Sequence, residues 1–357
     1  EEIELDANGG TISAAGKTVS HSTGTATIDS AMTVGTLTLS GGTLTGSGAI
    51  TIPNGGTLNW SGGTIDSTVA GTLLTTAAGS TTTLAVGGLG ANRTWDNGGT
   101  VTQAALGCCS SFTLNGTINN QAGGVFILNN SLNNYGVVGT GTFNNAGELR
   151  KAFNTTVVSS PFTPVFNNLA TGVVNVNSGT LDLSGAGTDA AGSVYNVAAS
   201  TTLQFGGSRS IAGNIAGAGN VTFYNPGRTY TLTGDYNIAG TTATSWGCCT
   251  ASSLTFAGTV TNVGTTLSSG GSGAIDFSGI TAGQASAFAN LTSISNAGNL
   301  TFKDGTAFTA LSTLTNTGGT LNFGASPVTL TTLNMTGGTL TGSGAITIPN
   351  GGTLNWS

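Results

Sequence analysis

Charged side chains make up only 6% of this 357-residue sequence, with 7 Lys and Arg against 13 Asp and Glu and a single histidine, His21. Cations this sparse, clustered no further than the Arg150, Lys151 neighbours, cannot neutralise a run of phosphates, which excludes a nucleic-acid partner. No apolar run approaches about 18 residues, so no segment of this stretch spans a membrane as a helix. An initiator methionine and a leader with a basic start and an apolar run are also lacking, and any export signal is expected outside this stretch. Cysteine is nearly absent: four residues stand as two adjacent pairs, Cys108 with Cys109 and Cys248 with Cys249, each preceded by glycine. Neither pair has zinc-ligand spacing, so no metal or other cofactor is expected. An even count in a hydroxyl-rich, charge-poor chain fits an oxidising compartment, extracellular or at the cell surface.

What fills the sequence instead is glycine, 60 residues of it, with Thr, Ser, Asn and Ala. Disorder is a poor account of that composition, because β-branched and aliphatic residues recur regularly and the mean hydropathy is +0.19. From Thr36 to Ile65 the chain reads TLTLSGGTLTGSGAITIPNGGTLNWSGGTI, and its markers Leu37, Leu44, Ile50, Leu58 and Ile65 are spaced by 7, 6, 8 and 7. Alternation of period two between glycine-rich turns means strands of about 3–5 residues, with no room for helices. An antiparallel meander could use turns such as PNGG at 53–56. The uniform short strands, the few charges to guard many edges and the recurring Asn favour a solenoid. The expected fold is all-β: a single right-handed parallel β-helix over 1–357, about three short strands per coil of about 21 residues.

Asparagine recurs in INNQAG, FNNAG and FNNLATG, with first-Asn intervals of 25 and 23 between Asn119, Asn144 and Asn167. Stacked one coil above the next, these three are expected to form an amide ladder. Parity places Leu58 with Trp60, Leu181 with Leu183 and Leu321 with Phe323 in the core. Two stretches depart from the pattern. Residues 281–291, TAGQASAFANL, would suit a short helix, and Pro161 and Pro164 in 150–166 point to a loop or edge.

GGTLTGSGAITIPNGGTLNWS occupies 41–61 and returns unchanged at 337–357. The interval, 337 − 41 = 296 residues, makes 41–336 one array unit and 337–357 the start of the next.

Several stretches resemble the long arrays of giant bacterial surface proteins, akin to autotransporter passenger repeats and filamentous-haemagglutinin-type β-helices. They are GTFNNAGELRK (141–151), VNVNSGTLDLSGAGT (174–188), VYNVAASTTLQFGG (194–207) and IAGNIAGAGNVTF (211–223). With the repeated block they cover about half the chain. The resemblance implies an exported right-handed β-helix with a structural or adhesive role and no catalytic residues to carry over. The two GCC loops and Pro226 and Asp235 depart from it.

Function follows as an expectation: a non-enzymatic extracellular segment of a solenoid fibre or stalk, self-associating end to end, in surface display, adhesion or matrix. The alternative is a carbohydrate-binding adhesin module, with Trp95, Trp246 and Tyr230 as stacking platforms for a polysaccharide or cell-surface glycan. A β-helix polysaccharide-degrading enzyme ranks behind both, because the aspartates are mostly solitary in sequence and Asp276 and Asp304 lack an activating neighbour. GGSGAID at 270–276 misses the calcium nonapeptide spacing, and His21 has no acid or nucleophile beside it in sequence. The GCC pairs follow RTW at 93–95 and RTY at 228–230, like one loop used twice. They are 248 − 108 = 140 residues apart, about seven coils or roughly 30 Å, so a bond between the two loops is excluded. Vicinal or interchain disulfides are the expected state.

Overall fold

The computed structural model describes residues 2–5, 11–103, 111–129, 135–152, 159–247, 250–281 and 286–357, with side chains from residue 11 onward. The chain is all-β, a parallel β-solenoid with turns of about 21 residues and roughly three strands per coil. No helix occurs among the described residues. Contacts divide it into two units, 1–185 and 186–357, each of which is a stack of such coils.

In the first unit one coil is formed by Arg93–Asn97, Thr100–Gln103 and Phe112–Leu114. Each strand pairs in parallel with its counterpart in the next coil: Trp95 with Ile118, Val101 with Phe126, Phe112 with Val137. The pattern continues through Phe143 and Phe166. Period-two alternation puts every second residue inside, so Trp95, Ile118, Phe143 and Phe166 are fully buried in one column. Rings from different strands of the coil meet inside it, Phe126 meeting Phe143 edge-on at 5.2 Å and Phe143 meeting Phe162 at 5.2 Å. In the second unit Phe256, Phe277, Phe302 and Phe323 form a similar column with near-parallel rings at 4.4, 5.7 and 5.3 Å.

Glycine is concentrated at the corners, where coils stack backbone on backbone. A Cβ on Gly141 would lie 2.2 Å from the Gly116 carbonyl oxygen, and one on Gly234 would lie 2.1 Å from that of Gly213. Side chains there would hold the coils apart.

Of the two irregular stretches, residues 153–158 and 282–285 lie outside the described residues; Pro164 stands in the bend between two strands, as expected, and the remaining described parts differ from expectation. Residues 286–290 form turns rather than a helix, and they carry Ala287 and Phe288 into the core, Phe288 standing 5.1 Å from Phe277. Ala-rich spacing loses to the gain from burying that ring. Pro161 lies inside the strand Ser159–Phe162, paired with Asp182, and toward the preceding coil the ladder begins only at Phe162 with Val137. Its missing N–H therefore falls beyond the two-residue strand Val137–Val138.

Candidate functional site

The first strands of four consecutive coils read TWDN, TINN, TFNN and VFNN, and their last two residues build two polar columns. The outer one contains the three expected residues. Asn167 donates to Asn144 at 3.0 Å, Asn144 to Asn119 at 2.9 Å, and Asn119 to Asp96 at 2.7 Å. Asp96, an acceptor only, fixes the direction of the whole series.

The inner column was not singled out in the sequence. Asn97, Asn120, Asn145 and Asn168 are all 0% exposed, and their amides run the opposite way. Asn97 donates to Asn120 at 2.8 Å, Asn120 to Asn145 at 2.8 Å, and Asn145 to Asn168 at 2.9 Å. Its direction is set at the other end. The Trp95 indole, a donor only, bonds Thr76 Oγ1 at 2.9 Å, and Thr76 gives its one hydroxyl hydrogen to Asn97 Oδ1 at 2.8 Å. Parity alone could have found this column: Asn145 stands two residues after the core residue Phe143 and must share its face.

Other buried polar groups tie coils together in the same manner. Arg93, 1% exposed, gives Nε and Nη2 to the Asp66 carbonyl at 3.0 and 2.6 Å and Nη1 to that of Gly48 at 3.0 Å. Burial pulls its guanidinium down to about 10, still protonated at neutral pH. In the second unit Arg209 Nη1 meets Asp189 Oδ1 at 2.8 Å, and the Tyr195 hydroxyl donates to the same oxygen at 2.6 Å. Burial, then the Asp189 charge, raises the Tyr195 phenol well above its ordinary value, so it stays a donor. Lys151 is different. It is 0% exposed, its Nζ has no hydrogen-bond partner among the described residues, and burial alone lowers its pKa to about 8.

The aromatic platforms expected for glycan stacking are not at the surface. Trp95 and Tyr230 are 0% exposed and Trp246 is 3% exposed. Tyr230 spends its hydroxyl on the Phe205 and Tyr224 carbonyls at 3.0 and 2.6 Å. Trp95 and Tyr230 fall on the inward parity of their strands and Trp246 continues that of Thr241–Ser245 one residue past its end, and a ring gains more in that core than on a polar face. Cys108, Cys109, Cys248 and Cys249 lie outside the described residues.

Several aspartates serve the backbone: Oδ1 of Asp66 and Asp276 accepts the nearby N–H of Ser67 and Ser278, and Oδ1 of Asp304 that of Ala325 one coil on, each at 2.8 Å. Asp276 pairs across coils with Thr301, not Asp304. His21 Nε2 stands 3.2 Å from the Gly24 carbonyl oxygen. Among the described residues no group of three or more His, Cys, Asp or Glu could hold a metal ion, and no helix is long and apolar enough to cross a membrane. Comparison with protein-family models, with curated proteins and with solved structures returns no match.

Proposed function

We propose that the chain is a segment of a non-enzymatic extracellular β-solenoid fibre or stalk, serving surface display, adhesion or matrix and propagating through 296-residue units. The observation that carries this reading is where the polar chemistry goes. The Asn columns, the Arg93 guanidinium and the Asp189–Arg209 pair are spent on joining one coil to the next. The identical blocks at 41–61 and 337–357 supply the long period.

Stacked coils suit a mechanical task, because every coil-to-coil contact is a row of parallel backbone hydrogen bonds that load along the axis must break together. The resemblance to arrays of exported bacterial proteins supports the extracellular assignment. Antibody raised against the chain is expected to label intact source cells and to lose that label after brief protease treatment of the cell surface. Label that appears only after lysis would overturn the reading.

A further inference from the structure

Turn length alternates along the first unit, 77–80 and 121–124 flanking the short turn 98–99 just as 121–124 and 169–172 flank 146–147, and only the second of these short turns leads straight into a charged residue, Glu148. Between the first and second strands, the coil of Asn120 uses residues 121–124 and the coil of Asn168 uses 169–172, whereas the coil between them uses only 146–147. The shorter turn leaves a notch of about 370 Å³, walled by Ala122 and Gly123 on one side and Thr171 on the other, with Glu148 at its floor. On this face the outward Thr81 and Thr100 give way to Val125, Glu148 and Val173 in successive coils.

Glu148 is held rigidly. Arg150 donates Nε to Oε1 at 2.7 Å and Nη2 to Oε2 at 2.5 Å, and Asn175 Nδ2 donates to Oε1 at 2.6 Å. Oε1 therefore already takes two donors and Oε2 one, which leaves Oε2 an acceptor site. Arg150 does not itself line the notch but adjoins it through this ion pair; its Nη1 makes no hydrogen bond to the described residues, and its side chain is 37% exposed.

We propose that this notch binds a saccharide, its hydroxyls bridging Glu148 and Arg150 and its C–H face lying against Val125 and Val173. The chemistry of the pair selects a neutral polyol. A hydroxyl donates and accepts at once, matching an acceptor and a donor held side by side, whereas an ion attracted by one partner is repelled by the other. Apolar flanks with a few fixed polar groups are the usual make-up of a small-ligand site. Such a site needs no exposed aromatic ring, and it exists whether or not the units polymerise.

The test uses the full chain and methyl glycosides of glucose, galactose, mannose and N-acetylglucosamine, read by saturation-transfer NMR and by titration calorimetry. Two variants accompany it. One lengthens the short turn by replacing Ala146, Gly147 with Gln-Ala-Gly-Gly, the sequence of residues 121–124, and so fills the notch while leaving Glu148 in place. The other is Glu148→Gln. Circular dichroism and thermal melts establish that both retain the fold. At least one glycoside is expected to bind saturably to the unaltered chain, with affinity reduced at least about tenfold in each variant. No saturable binding of any of the four, or unchanged affinity in either variant, would overturn the proposal.

Discussion

At the scale of single residues the main result is that the Asn columns, Arg93 and the Asp189–Arg209 pair join one coil to the next, while the buried Lys151 amine joins nothing described. Removing an inner Asn interrupts the ladder on both sides: Asn145→Ala loses the bonds with Asn120 and Asn168 and the one that Asn145 Nδ2 gives to the Val173 carbonyl. A loss of about 2–4 kcal/mol is expected in denaturant unfolding, against about 1 kcal/mol for Asn144→Ala on the half-buried outer column. Lys151 should act in the opposite sense. Its folded pKa of about 8 lies below the ordinary 10.5, so between those values the unfolded chain binds more protons, and stability contributed at this site rises as pH rises through the window. Below pH 8 the full cost of the buried ammonium applies. Lys151→Met is therefore expected to stabilise by about 2–3 kcal/mol at pH 7, with the difference from the unaltered chain shrinking toward pH 10. Urea titrations of both chains across that range check the sign. The outer ladder was legible in the sequence because Asn recurs at near-constant interval. The inner one was legible only through its parity with Phe143, while the solitary Lys151 carries no signal in the sequence that its amine turns inward.

Among the elements, strands and corners obey different rules. Alternation assigned the strands, since any residue two away from a buried Phe or Leu must itself face the core. The same rule placed Trp60 inside, and Trp95, Trp246 and Tyr230 follow it, although they were expected as stacking platforms at the surface. The irregular elements could not be read so simply: Phe288 packs by a turn that no period describes, and the tolerance of Pro161 depends on where a neighbouring coil's strand begins. Corners are governed by backbone approach. Gly141→Ala would push a Cβ to within 2.2 Å of the Gly116 carbonyl, so the coils must separate there, and a destabilisation of about 1–3 kcal/mol is expected. Gly123→Ala meets nothing within 4 Å and carries only the strain of φ +86°, about 1 kcal/mol. Paired thermal melts of the two variants separate stacking from strain, and equal losses would show that the corner column is not tightly packed.

For the whole molecule, burial depends on stacking: Leu58 and Trp60 are 0% exposed beneath the strand Thr81–Leu84, each coil being covered by its neighbour as in other solenoids. The solenoid architecture was legible in the period of the sequence, because a repeat of short strands leaves few other ways to satisfy the backbone. The notch at Glu148 was not legible, because it arises from the difference between three neighbouring turns and only stacking sets them side by side. A 296-residue unit of coils of about 21 residues holds about 14 of them, and at about 4.8 Å per coil it adds about 55–70 Å along the axis once inserted loops are allowed for. The most direct measurement is electron microscopy of chains carrying one, two and three 296-residue units. The fibre account predicts unbranched particles whose length grows by about 55–70 Å with each added unit and which bend no more at unit boundaries than elsewhere. Compact particles joined by flexible links, or an increment outside that range, would contradict it.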